Sequence, residues 1–144
     1  MSEANKQAAR RIFEEAFNQG DLAAVDEIVG ADAVDHDPSN PFAGETGPES
    51  AKKAIELYRG VFSDLHFTIE AQYADGDVVI TRWSSTGTHD GDGLGIPATG
   101  KTVEVTGVGI DRFQDGKVVE AWNHWDAAGM MQQLGAVPEA QGAA

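Results

Sequence analysis

Three residues near the C-terminal end, Trp122, His124 and Asp126, recur at every second position of Lys117-Val118-Val119-Glu120-Ala121-Trp122-Asn123-His124-Trp125-Asp126. Alternate residues of a strand share a face, so these three point one way, and Asn123 and Trp125 point the other. A large apolar ring, an imidazole and a carboxylate on one face suit acid–base chemistry in a small-molecule pocket. Asp126 precedes Ala127-Ala128-Gly129-Met130. It either caps the closing helix or, from a pocket wall beside aromatic rings, gives and takes a proton; the two roles are compatible. His36, between Asp35 and Asp37, and His89, at a strand end before a Gly-rich loop, are further candidates for polarising a carbonyl. Trp83, Trp122 and Phe113 are candidate pocket walls. Arg82, mid-strand among apolar neighbours, is read as a buried cation. It is either paired in a salt bridge or holds an enolate or carboxylate.

These groups need a scaffold. Ala9, Ile12, Phe13, Ala16 and Phe17 make a helical stripe that Gly20 ends. Asp21 opens a second helix with Leu22, Val25, Ile28 and Val29 buried, and a polar loop through Pro38 and Pro41 follows. Gly47-Pro48 opens a third helix, with Ala51, Ala54, Ile55, Tyr58 and Phe62 facing the core. Strands are predicted from Leu65 to Tyr73, Val78 to Thr88, Thr102 to Phe113 and Lys117 to Trp125. The turns are Asp75-Gly76, a Gly-rich loop from His89 to Gly100, and Asp115-Gly116. Helices first and a strand meander afterwards predict an α+β fold, with helices on one face of an antiparallel sheet. A single domain is predicted over 1–144, its core about 7–135 and a frayed tail at 136–144. Both strand faces are apolar: Val78 and Ile80 oppose Val79 and Trp83, and Val103 and Val105 oppose Val108 and Ile110. Helices cover one face, so a second copy of the chain is expected on the other, making a homodimer.

The chain has 144 residues, a net charge of -14 and no cysteine. Such charge repels nucleic acid and anionic membrane surfaces. Disulfides and thiolate zinc sites are excluded. No apolar run is long enough to span a bilayer and the first residues lack a signal-peptide stretch, so a cytoplasmic location is expected. Gly95-Ile96-Pro97-Ala98-Thr99-Gly100-Lys101-Thr102 matches a phosphate-binding loop letter by letter, but the residues after it read as strand rather than helix. His89-Asp90-Gly91-Asp92-Gly93 and Asp35-His36-Asp37 lack metal-ligand spacing, so neither metal nor cofactor is expected.

The order of motifs resembles a known family. It comprises His36 after two helices, Gly47-Pro48-Glu49, Phe62-Ser63-Asp64-Leu65-His66-Phe67, Gly76-Asp77-Val78-Val79 with Arg82-Trp83, and Gly87-Thr88-His89-Asp90-Gly91. The order closes with Gly116-Lys117-Val118-Val119-Glu120-Ala121-Trp122, Asp126 and Gln133-Leu134-Gly135. From about Gln7 to Gly135 this resembles the SnoaL-like polyketide cyclases, or ester cyclases, within the nuclear transport factor 2-like and ketosteroid-isomerase-like group. The resemblance implies a cone: three N-terminal helices on a curved antiparallel sheet, a short C-terminal helix, and a deep apolar pocket at the open end. It implies cofactor-free closure of a polyketide ring by intramolecular aldol condensation. Asp126 would be the acid–base group, with His36 and His89 in the pocket and His124 beside them. A small lipophilic, carbonyl-containing substrate is expected, turned over by cyclisation, isomerisation or hydration. The alternative is a non-catalytic binding module of the same shape, since this fold hosts both.

Overall fold

Apolar residues at helical spacing, and the Gly20 break with φ 75°, set the N-terminal helices. The computed structural model describes residues 2–136, so the tail expected at 136–144 lies, from 137 on, outside the described residues. Helix α1 (Ser2–Arg11) runs on into a π-helical segment, Ile12–Phe17, that sequence spacing did not reveal. Widening the turn there brings Phe13 and Phe17 together, ring centroids 6.2 Å apart and stacked. Helix α2 (Leu22–Ile28) follows Gly20-Asp21, and α3 (Pro48–Val61) begins with Pro48 in its first turn, as expected. Gly47 precedes it at φ 77°, its N–H on the Ala33 carbonyl at 2.8 Å. Any Cβ at Gly47 would overlap the Ala31 carbonyl, so only glycine fits this crossing.

The strands are β1 (Val29–Asp35), β2 (His66–Asp75), β3 (Val78–Thr88), β4 (Thr102–Gln114) and β5 (Lys117–Trp125); α4 (Ala127–Gln133) closes the described chain. The sheet order is β1-β5-β4-β3-β2. Strand β1 was expected to be the end of a helix and a loop. Its residues, Val-Gly-Ala-Asp-Ala-Val-Asp, have little β preference of their own. It is a strand because it pairs in parallel with β5, Val34 opposite Glu120 and Asp35 opposite Ala121. The other pairs are antiparallel, and bulges at Ile69/Ala71 and Arg112/Phe113 curve the sheet. The tight turn at Asp115-Gly116 has φ 53° and 80°, as its sequence requires. The phosphate-loop mimic lies in the connection from β3 to β4 and in the first residue of β4, with no helix after it.

Strand alternation gives the sheet two unlike faces. Trp83, Gly107 and Trp125 stand in register on the inner face, under the helices. A Cβ at Gly107 would overlap the Trp83 ring and Trp125, so the glycine is what lets the indole lie flat on β4. Trp83 joins Phe13, Phe17 and Phe67 in a cluster with centroid separations from 4.4 to 6.3 Å. Such pairs each add about 0.5–1.5 kcal/mol beyond the area they bury. The Asn18 side chain both donates to and accepts from the Phe67 backbone, at 3.0 and 2.7 Å, tying the helices to the edge strand. On the outer face Tyr73, Ile80, Ile110 and Trp122 form one row across four strands. No described helix is long and apolar enough to cross a membrane.

Candidate active site

The space between the inner face and the helices is hollow. A cavity of about 190 Å³ is walled by Phe13, Phe17, Phe67, Trp83, Trp125 and Met130, among others. Its polar wall comes from β1 and the loop after it, α3, β3, β4 and β5: Asp35, Asp37, Asn40, Ser50, Tyr58, Ser85, Asp111 and Asn123. Among the described lining residues there is no lysine, arginine or histidine.

The register explains why the carboxyl groups meet. Asp35 of β1 and Asp111 of β4 both stand opposite Ala121 of the intervening strand β5. Strand spacing puts their Cα atoms roughly 10 Å apart, with only the Ala121 methyl between them. The Asp35 carboxylate accepts from the Asp37 N–H at 2.8 Å, the Asn40 side chain at 2.7 Å and the Ser50 hydroxyl at 3.5 Å. These bonds hold the 35–50 segment together as one wall of the cavity. Asp111 has no hydrogen bond to its carboxyl among the described residues. Burial first, and the charge of Asp35 second, push its pKa up to about 7. Asp37 is 8% exposed; burial raises its pKa, with the Ser39 N–H at 2.8 Å opposing. Tyr58, edge-on to Trp125 at 5.9 Å, is pushed up to about 12 by burial and then by Asp37, so it stays a neutral phenol.

The residues expected from the sequence fall elsewhere, except Trp83 and Trp122. Asp126 is exposed, and its Oδ1 accepts the Gly129 N–H at 2.9 Å as the N-cap of α4. It is not among the cavity residues, so the expected inward placement is corrected: the capping geometry turns its carboxyl outward. His124 is exposed on the outer face, because the face of β5 that meets the cavity is that of Ala121, Asn123 and Trp125. Trp122 borders the cavity, but its ring stacks on His36 with centroids 5.0 Å apart. His36 Nε2 is held 2.9 Å from Glu120, whose pKa is lowered by that bond and then by Arg112. Arg82 is exposed on the outer face rather than buried. Phe113 is buried in a separate cluster with Val79 and Val118. His89 is fully buried outside the cavity lining. Its Nδ1 receives the Thr99 N–H at 3.2 Å and lies 3.1 Å from the Thr99 hydroxyl, pinning the β3–β4 connection.

Sequence reasoning missed Asp35, Asp37, Asp111, Tyr58 and Asn123 as site residues. For Asp111 the signal was present: it shares strand parity with Val103 and Val105, the apolar inner positions of β4. A carboxylate in a row of core valines marks a buried charge. Asp126 gives a contrasting expectation. Asp126→Ala should cost about 1 kcal/mol through the lost cap and leave turnover within about twofold. Thermal denaturation and initial rates check both halves.

The chain is similar to known proteins over most of its length. The family model described as SnoaL-like polyketide cyclase matches residues 7–134. Aklanonic acid methyl ester cyclase DauD of Streptomyces sp. (strain C5) is 30% identical over 127 residues, covering 84% of this chain and 76% of the relative. The enzyme of the same description from Streptomyces peucetius, DnrD, is 28% identical over 127 residues, covering 84% of both. The structure of TsrD from Streptomyces laurentii superposes with a TM-score of 0.84 at 27% identity, covering 95% of this chain and 98% of that one.

Proposed function

This chain belongs to the SnoaL-like polyketide cyclase family, and from that premise we propose that it is an acid–base enzyme closing a ring in a neutral, carbonyl-containing lipophilic substrate, with Asp111 as the group that moves the proton. The observation that carries the reading is a carboxyl group without a hydrogen-bond partner on the wall of an apolar cavity, poised near pH 7 by its burial. The Asp111 carboxylate takes a proton from the carbon next to a carbonyl. The resulting enolate carbon attacks a second carbonyl of the same molecule, forming a C–C bond and an alkoxide. The alkoxide takes the proton back from Asp111, so the net reaction is an isomerisation that leaves the protein unchanged. Apolar walls fold the substrate and keep water from the enolate.

Charge selects the substrate class. Asp35, Asp37 and Asp111 with no lining cation make the cavity hostile to an anion. Methyl 2-naphthoate should bind at least ~10-fold more tightly than 2-naphthoate at pH 8, a gap of about 1.4 kcal/mol. Tryptophan fluorescence titration reads both constants; equal or tighter binding of the acid sinks the reading. DauD and DnrD, both named as methyl ester cyclases, support the same preference.

The outer row of Tyr73, Ile80, Ile110 and Trp122 is flanked by Arg82, Val108 and His124. Tyr73 is 55% exposed. A large apolar row on a face without helices supports a homodimer joined back to back through the sheets. Sedimentation at micromolar concentration should give twice the chain mass; a monomer there removes the proposal.

A further inference from the structure

Among the described residues three buried side-chain atoms have no partner, and two of them, on Trp83 and Asn123, belong to residues that line the cavity, whereas the third, His89 Nε2, does not. Trp83 is 3% exposed, its residue lines the cavity, and its Nε1–H meets no acceptor. Asn123 lines the same cavity, and its Oδ1 is buried and unpartnered. Buried polar groups are nearly always hydrogen-bonded, and each one left over costs about 1–3 kcal/mol. An indole N–H can only donate. A carboxamide offers an acceptor and two donors, and a half-turn exchanges its ends.

Both groups lie over glycines of β4. The Trp83 ring lies against Gly107, its Cε2 2.8 Å from where a Cβ would stand. Asn123 is in register with Gly109, its Oδ1 3.8 Å from the corresponding point. Asp111 is the next inward position of that strand, because residues 107, 109 and 111 alternate onto one face. Each step of two residues advances roughly 7 Å. Indole, carboxamide and carboxyl group thus follow one another along one strand on the wall of the same cavity. The phenol of Tyr58 is under the influence of Asp37, another carboxylate of the cavity wall.

We propose that the Trp83 Nε1–H and the Asn123 carboxamide hold the substrate's carbonyl oxygen, directing the adjacent C–H at Asp111. This rests on the reading of the cavity as the substrate site. When Asp111 removes the proton, the electron pair of the C–H bond becomes the C=C bond of the enolate, and the negative charge gathers on that oxygen. Donors fixed in a dry site before the charge forms stabilise it without reorganisation.

The test uses the full chain and two probes that share a skeleton: 1-tetralone, which has the carbonyl, and tetralin, which lacks it. Proton–nitrogen correlation spectra of the labelled protein show three indole N–H signals, one per tryptophan. The Trp83 signal, identified by its loss in Trp83→Phe, should move downfield with 1-tetralone and stay within its free-state linewidth with tetralin. The wild type should prefer the ketone about 10-fold, and Asn123→Leu should cut that ratio to about 2, with tetralin affinity held within twofold. An unmoved Trp83 signal, a wild type without the preference, or an unchanged ratio in Asn123→Leu overturns the proposal. A folding defect in Asn123→Leu leaves the wild-type spectrum to decide it. Binding is read without turnover. Asp111→Asn that keeps full activity therefore refutes the proton-transfer reading and leaves this one standing or falling on the spectra.

Discussion

Asp111→Asn should lower kcat by about 10²–10⁴ while making the protein more stable above pH 7. Asparagine keeps the shape and the polar surface but cannot take a proton. The gain in stability follows from linkage. In the unfolded chain the carboxyl titrates near 3.8, and in the folded protein near 7. The native state therefore binds the extra proton between these values, and stability falls as pH rises through that window. The sign is opposite to that of an aspartate held in a salt bridge. Above the folded value the wild type carries the cost of ionising a half-buried carboxyl, on the order of a few kcal/mol at about 1.36 kcal/mol per pKa unit. At pH 8 the variant should therefore be more stable by up to a few kcal/mol, and below pH 4 the two should coincide. Urea titrations at both pH values read this directly. The rate gives an independent reading: kcat/KM of the wild type should rise through an apparent pKa near 7 as the base is uncovered. Equal stability at pH 8 would mean that the carboxyl is solvated, and unchanged turnover would remove its catalytic role.

The same carboxyl shows what a sequence can and cannot tell about this fold. Turn chemistry and periodicity were legible. Gly20, Gly47-Pro48 and Asp115-Gly116 each occupy the backbone position their chemistry demands, and strands β3 and β5 have the expected ends. Strand β1 was not legible, because nothing local makes Val29–Asp35 extended; the edge of β5 does. That one element carries Asp35 and leads to Asp37, so missing it hid half of the polar wall. The π-helical turn at Ile12–Phe17 is likewise a response to packing. For β5 the alternation was right, and the wrong face was matched to the cavity. The row of Trp122, His124 and Asp126 looked chemical because it mixes a ring, an imidazole and a carboxylate. The face that meets the hollow carries Ala121, Asn123 and Trp125. A cavity needs a small residue where ligand must lie, and the decisive signal on β5 was the alanine.

Asp35 ties the polar wall of the site to its chemistry, and replacing it should have two separable consequences. Asp35→Ala removes the acceptor of the Asp37 N–H, the Asn40 amide and the Ser50 hydroxyl at once. Asn40 and Ser50 are 8% and 2% exposed, so their donors lose an acceptor away from water, while the Asn40 amide keeps its bond to the Ser50 oxygen at 3.1 Å. With about 1–3 kcal/mol for each buried group left unsatisfied, a total loss of about 3–5 kcal/mol is expected. Asp35→Asn is gentler. Its carboxamide oxygen can still accept the Asp37 N–H, but its NH2 group opposes that of Asn40, so about 1–2 kcal/mol should be lost. Both variants remove the negative charge that helps to raise Asp111, while burial, the larger cause, stays. The acid limb of kcat/KM should therefore move below 7 in Asp35→Asn, yet stop well short of 3.8. A limb that stays in place would show that the two carboxyl groups do not sense each other across Ala121. A limb that falls all the way to an ordinary carboxylate value would show that the wall around Asp111 admits water, and the proton would then need a different carrier.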